Sequence, residues 1–257
     1  MPTPPPRSAA YFDQWYADML HSPVKDEIEQ RHLGLPPHLL STGLLTWAAL
    51  DEVTESLCRG RGLRDGAVLL DLACGRGGLG LEIAHRTGAG LVGIDFSAEA
   101  VRQARALAQR LGRSADFRVG RLDDTGLEDS SVDAVVVVDS IQFAEDPPTA
   151  YAELARVLRP GGRVALTTWE VVDRTDESQP ERLRAVDVHG GLVGAGFDDV
   201  EVHDRAAWRV RERTMWEEAA ALDPGDDPAL RSFHDEGVRS LPHHDARRRV
   251  LGTATAP

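Results

Sequence analysis

The chain predicts an α/β protein built on a doubly wound, mostly parallel sheet, and three observations carry that expectation. Short apolar runs bounded by turn residues recur at 67–74 (AVLLDLAC), 91–95 (LVGID), 132–139 (VDAVVVVD) and 163–169 (RVALTTW), the form taken by strands buried on both faces. Helical patterns alternate with these runs. A glycine cluster at 75–80 follows the first run and opens the next helical segment.

Before the first run, residues 8–57 read as a helical lead broken at Pro36-Pro37, polar on one side. In AEAVRQARALAQRLG, Val101, Ala104, Ala108 and Leu111 share a face, Ser97 is placed as N-cap and Gly112 as stop. In DPPTAYAELARVLRPGG, Pro147 and Pro148 suit a helix start and Pro160-Gly161-Gly162 its end. DFRVG supplies a further short strand. After Trp169, ERLRAVDVHGGLVGAG reads as one helix and DDVEVHD as a strand. Segments 209–222 and 228–241 read as amphipathic helices, and RRRVLGTATAP reads as a closing strand. At 257 residues and 42% apolar content the expectation is a single domain over 1–257, with a lead at 8–57, a core at 64–208, a helical cap at 209–241 and a closing strand at 247–255.

The formal net charge is -13, which repels nucleic acid phosphates and anionic lipid alike. The two cysteines, Cys58 and Cys74, make neither a disulfide framework nor a cysteine metal site. No apolar run reaches the roughly 18 residues of a membrane span, and MPTPPPRSAA lacks the apolar stretch of a signal peptide. A cytoplasmic protein is expected, with no metal, no nucleic acid and no membrane partner. Lys25 is the only lysine, the other 28 cations being arginines. Its polar N-terminal setting predicts that no buried lysine is available for chemistry.

The segment VLLDLACGRGGLG is the most informative. A strand running through glycines into a helix sets backbone N–H groups and a positive helix end beside a ligand. Gly75, Gly77 and Gly80 satisfy G-x-G-x-x-G, and Asp95 lies 20 residues after Gly75, the spacing of a dinucleotide fingerprint. Asp71 argues for a different nucleoside. A carboxylate fixed four residues before Gly75 would repel a pyrophosphate and welcome a cation. The chain also has no tyrosine followed four residues later by lysine, which removes one common oxidoreductase acid–base pair.

Asp71-x-x-x-Gly75-x-Gly77, Asp95 after the second strand, DSSVDAVVVVDSIQF and LRPGGRVALTTWE together resemble the class I S-adenosylmethionine-dependent methyltransferases that act on small molecules, over about residues 64–204. The resemblance implies a Rossmann-like, seven-stranded sheet whose last strand is antiparallel. It also implies S-adenosylmethionine as cofactor, S-adenosylhomocysteine as product, and methyl transfer to oxygen, nitrogen or carbon of a small metabolite. Asp71 would sit at the methionine end. Ala73, Gly75 and Gly77 would let the backbone pass close, and Asp95 would take both ribose hydroxyls, with Phe96 packed on the adenine. Asp139 and Ser140 would lie near the sulfonium and the acceptor. Where the family usually has an acidic residue after the third strand this chain has Arg121, leaving the Leu122 N–H and Asp123 for the adenine.

Other residues admit two readings. Tyr11, Trp15 and Tyr16 read as the apolar stripe of the first helix, or as a lid over the sulfonium, in which case Tyr16 joins the cofactor set. Cys74 reads as packing, and His243-His244-Asp245 as solvated surface rather than metal ligands. Gln142 and Trp169 fall where strands empty into the cleft and are the candidates for positioning the acceptor. Asp139 and Glu170 project there too, and no histidine base is apparent in the core. The 209–241 helices are a cap or a homodimer face. A nicotinamide-dependent oxidoreductase, or a cofactor-binding protein without methyl transfer, is the alternative. The sequence thus predicts that S-adenosylmethionine and S-adenosylhomocysteine bind while NAD(H) does not, which titration calorimetry with each compound checks.

Overall fold

A computed structural model describes residues 8–20, 22–36 and 38–257. Most of the proline-rich start lies outside the described residues, as does Pro37 of the break. The lead folds into α1 (Ala9–Met19), α2 (Pro23–Leu33) and α3 (Trp47–Leu57). Ser8 Oγ accepts from Tyr11 N at 3.2 Å and starts the first of these. Thr46 Oγ1 accepts from Ala49 N at 3.1 Å, so α3 begins at Trp47 rather than in the apolar pair before it.

The chain then runs through β1 (Val68–Leu72), α4 (Gly78–Thr87), β2 (Gly90–Asp95), α5 (Ala98–Leu111), β3 (Asp116–Val119), β4 (Val132–Val138), α6 (Pro147–Val157) and β5 (Leu158–Val171). Beyond lie α7 (Glu181–Arg184), α8 (Val188–Gly194), β6 (Asp198–Asp204), α9 (Ala206–Ala221), α10 (Pro228–Ser240) and β7 (Arg247–Thr255). Among the described residues the strands form one seven-stranded sheet in the order β3-β2-β1-β4-β5-β7-β6. Pairs from β3 to β5 are parallel, whereas β7 runs antiparallel to both β5 and β6. The expected fold class and antiparallel last strand are present. No described helix is long and apolar enough to cross a membrane.

Two apolar layers follow from the strand period of two. Leu69, Val136, Ala165 and Leu251 face one layer with Leu50, Val53, Ile83 and Val101. Leu70, Val135, Val137, Leu166 and Val250 face the other, with Tyr151, Leu154 and Leu192. Burial on both faces is why these strands read as continuous apolar runs.

Two expected boundaries are corrected. The single helix expected after Gln179 is two, α7 and α8, because Asp187 caps the second by accepting from Gly190 N at 3.0 Å. Gly191 then packs so close that a Cβ there would stand 2.2 Å from the Tyr151 ring. Pro160-Gly161-Gly162, expected to end α6, instead lies inside β5: the helix stops at Val157 with Leu158 already extended, the register shifts between Val132 and Ala134, and Gly161 takes φ 77°.

The first helix docks on α5 through polar contacts. Asp13 Oδ1 accepts from Ser97 Oγ at 2.6 Å and from Glu99 N at 3.1 Å, and Gln103 Nε2 donates to Tyr16 O at 2.8 Å. Asp13→Ala should therefore free α1 without unfolding the sheet. Amide exchange within Ala9–Met19 rises at least about fivefold, while the melting temperature falls by no more than about 4 °C, as read by hydrogen-exchange mass spectrometry and thermal melts.

Candidate active site

The C-terminal ends of β1, β2, β4 and β5 open into one cavity of about 670 Å³, walled by the lead and by α9 and α10. This is the ligand position of an open parallel sheet. Asp71, Ala73, Asp95, Phe96, Leu122, Asp123, Asp139, Ser140, Gln142, Trp169 and Tyr16 all line it. Gly75 and Gly77 belong to the turn after β1 and do not themselves line the cavity.

Backbone conformation makes the turn after β1. Ala73 at φ 60° and Gly75 and Gly77 at φ 53° and 75° are left-handed, a region that costs a side chain energy. Close approach adds a second constraint. A Cβ on Gly75 would lie 2.9 Å from both Tyr16 Oη and Thr42 Oγ1, and one on Gly80 would lie 2.4 Å from Asp71 Oδ2. The lead thus covers the glycine turn directly. Arg76, only 2% exposed, ties it further by an ion pair to Asp26 of α2 at 2.5 Å.

Asp71 and Asp95 are buried side by side. Asp95 accepts from Gly75 N at 2.8 Å and Ser97 N at 2.9 Å. Desolvation, then the charge of Asp95, pushes the Asp71 carboxyl up to about 7. Desolvation likewise raises Asp95 to about 6, against the pull of the Ser97 and Gly75 amides. No side-chain cation among the described residues forms an ion pair with either. Two buried carboxylates beside a glycine turn fit a ligand that brings a positive centre and hydroxyl donors, as S-adenosylmethionine does. They do not fit a pyrophosphate.

The third carboxylate is different. Arg249, fully buried, reaches Asp139 through Nη1 and Nη2 at 2.6 Å each. Asp139 also accepts from Leu44 N and Thr167 Oγ1 at 2.7 Å. Its charge is already answered within the chain, and Asp139 lines the cavity while bracing it. Arg249 stacks 4.1 Å over Trp169 and lies 3.4 Å from Glu212 of α9. Glu212 accepts from Trp169 Nε1 at 2.9 Å and Trp216 Nε1 at 3.2 Å, and burial raises its carboxyl despite Arg249.

Gln142, in a 3-10 turn at Ile141–Phe143, donates to Asp139 O at 2.6 Å and accepts from Thr168 Oγ1 at 2.9 Å. Its amide is engaged in holding the turn. Glu170, expected at the cleft, is turned to the other face, where it accepts from Val188 N at 2.8 Å and pairs with Arg248. Asp123 pairs with Arg121 at 2.9 Å, and Arg121 with Glu145 at 2.7 Å. Phe96 sits 5.2 Å from Phe12, whose ring is 5.7 Å from Phe143. Cys74 packs against the apolar layer. Among the described residues no histidine lines the cavity and no His, Cys, Asp or Glu cluster could hold a metal ion. His244 is buried rather than solvated as expected, with Nε2 3.1 Å from Arg209 O.

Sequence reasoning missed Arg249, Glu212 and Lys25. Lys25 overturns an expectation: it is 3% exposed and lines the cavity. A signal existed, since Lys25, Ile28 and Glu29 share the helix face of Leu33. The arginines at 247–249 gave another, because alternate strand positions must face opposite sides.

The pattern of the methyltransferase domain family matches residues 70–166. Within the chain, this segment is a methyltransferase domain. Over 125 residues it is 31% identical to a sterol 24-C-methyltransferase of Saccharomyces cerevisiae, a match covering 48% of this chain and 33% of that protein. The chain therefore spans about a third of the length of this curated relative. A solved structure described as a sarcosine dimethylglycine methyltransferase of Galdieria sulphuraria superposes with TM-score 0.73 at 14% identity, covering 90% of this chain and 98% of that one. The [4+2]-cyclase SpnF superposes with TM-score 0.69 at 23% identity, covering 82% and 80%. At these identities the solved structures establish the shared fold. The domain match does not favour the nicotinamide alternative.

The carboxylate pair sets a pH dependence. Both folded-state values lie above the ordinary carboxylate range, so this pair stabilises the ligand-free protein at low pH and the contribution is lost as pH rises through about 6 and 7. A ligand that prefers the ionised pair binds in the opposite sense. S-adenosylhomocysteine affinity should rise at least about tenfold from pH 5.5 to 8, with protons released on binding near pH 6.5. Asp95→Ala should weaken it at least about tenfold, and calorimetry in buffers of differing ionisation enthalpy reads both effects.

Proposed function

We propose that the protein transfers a methyl group from S-adenosylmethionine to oxygen, nitrogen or carbon of a small acceptor. In this reading 1–257 act as a single methyltransferase domain, with 8–57 as lid, 64–208 as cofactor-binding core, 209–241 as cap and 247–255 as closing strand. The observation that carries it is the buried pair Asp71 and Asp95 at the ends of adjacent strands, with no cation among the described residues ion-paired to either.

The cofactor, when bound, supplies an already electrophilic methyl. What remains for the protein is alignment and exclusion of water. Asp71 would answer the charge at the methionine end and Asp95 would accept from the ribose hydroxyls. Ala73, Gly75 and Gly77 would let the backbone approach, and Phe96, Leu122 and Asp123 would border the base. Tyr16 would close over the glycine turn from the lead. Trp169, held by Glu212 and stacked on Arg249, would wall the acceptor side against water. Gln142 would fix the turn that carries Asp139 and Ser140.

The lack of a histidine in the described lining supports positioning over histidine-centred base catalysis. The relatives' named sterol and small-metabolite substrates support a small acceptor here. The acidic surface supports the same choice over nucleic acid. Mass spectrometry of the purified chain should find S-adenosylhomocysteine, and release of S-adenosylhomocysteine in the presence of acceptor tests transfer itself. Cofactor binding with no transfer to any acceptor would instead place the chain among cofactor-dependent binding proteins. Gln142→Ala should cut turnover by about 100-fold through lost alignment, leaving S-adenosylhomocysteine affinity within about twofold. Single-turnover kinetics beside calorimetry checks the split.

A further inference from the structure

We propose that Lys25 and Glu29 form the polar anchor for the acceptor, together holding a neutral hydroxyl or enol on an otherwise apolar, ring-bearing molecule. The inference rests on the methyltransferase reading of the same cavity and names the acceptor's chemistry.

Lys25 Nζ lies 2.6 Å from Glu29 Oε1, with the two side chains only 3% and 7% exposed, and both line the cavity. Burying an ion pair removes two charges from water, and apolar residues of similar volume commonly serve stability as well or better. The pair is also in the weaker order for a helix, lysine before glutamate. Stability alone gives little reason for it.

The surroundings hold the ammonium in place without using its capacity. Trp15 and Phe233 present their rings at 5.9 and 5.5 Å from Nζ, each an attractive contact for a cation. Trp15 is itself pinned to α10, donating from Nε1 to Ser232 Oγ at 3.0 Å. An ammonium carries three donors, and Nζ makes no hydrogen bond to any described residue, its contact with Glu29 being an ion pair alone. Glu29 Oε2 is likewise buried without a partner. A spare donor and a spare acceptor therefore stand together on one cavity wall, each costly if left unmet.

Charge decides what meets them. The pair is neutral overall, so an anion approaching Lys25 also meets Glu29, and a cation approaching Glu29 meets Lys25. A hydroxyl answers both through one oxygen, donating to Glu29 Oε2 and accepting from Lys25 Nζ. The nearby lining of Leu40, Leu44, Trp169, Trp216 and Phe233 suits a flat apolar body.

The test uses the full chain with S-adenosylhomocysteine present at pH 7.5 and four probes: 2-naphthol, 2-methylnaphthalene, 2-naphthoate and 2-(aminomethyl)naphthalene. Binding is read by calorimetry. 2-Naphthol should bind at least about tenfold more tightly than each of the others. It should also slow reductive methylation of Lys25, which is the sole lysine and so gives an unambiguous side-chain signal in peptide mass spectrometry. In the volume-conserving double variant Lys25→Met/Glu29→Met, which strands no unpaired charge, the preference should fall to within about twofold while S-adenosylhomocysteine affinity is unchanged. Binding of no probe, equal binding of all four, preference for either ion, survival of the preference in the double variant, or unprotected Lys25 each overturns the inference. If S-adenosylhomocysteine binds normally in those experiments, only the acceptor anchor falls. If it does not bind the unaltered chain, the methyltransferase reading falls with it.

Discussion

The cleft depends on one buried guanidinium. Arg249 brings a positive charge with no solvent exposure into the centre of the molecule, where it meets Asp139, Glu212 and the face of Trp169. Desolvating three charged groups is expensive, and only close pairing with added hydrogen bonds offsets it. That pairing is nearly complete at Asp139, whose other contacts come from the lead at Leu44 and from β5 at Thr167. One residue on the last strand thus joins the lead, the sheet and α9. Its placement requires β7 to lie beside β5 in the register Trp169↔Arg249, so the antiparallel closing strand is part of the site and not merely an edge.

Around that fixed point the remaining charges divide by partner. Asp139 and Glu212 are answered from within the chain. Asp71 and Asp95 are hydrogen-bonded by backbone amides, with desolvation raising both and a neighbouring carboxylate adding to it, Asp95 for Asp71 and Asp13 for Asp95. The Lys25–Glu29 pair is intermediate, neutral in sum and incompletely hydrogen-bonded. A cavity arranged this way keeps its unmet demand at two places, one at the sheet edge and one at the lead.

Much of the core was legible because its constraints are local. Apolar runs, Ser97 as a cap and the strand–glycine–helix sequence each encode their own geometry within a few residues, and the expected strands at 67–74, 91–95 and 132–139 formed. The site was legible where it lies next to those elements, as at Asp71, Gly75 and Asp95. What escaped notice was set by partners distant in sequence. Nothing near Arg249 tells that Asp139, 110 residues earlier, will face it. The polar residues of α2 read as solvated until α10 and Trp15 are placed over Lys25. Glu170 was misassigned because strand alternation turned it toward Val188, and α7 was merged with α8 because the Gly191–Tyr151 contact is tertiary.

Ala73 and Asp139 share an unusual trait: both hold left-handed backbone, at φ 60° and 56°, without being glycine. They sit at the ends of neighbouring strands, β1 and β4, where the sheet order reverses direction. Each such residue stores about 1–2 kcal/mol of steric strain, which the surrounding packing must hold down. The two strand ends therefore resemble sprung jaws, rigid in the folded cleft and quick to relax once neighbouring contacts loosen. A branched side chain at either position would deepen the strain, and glycine would remove the tension along with the side chain.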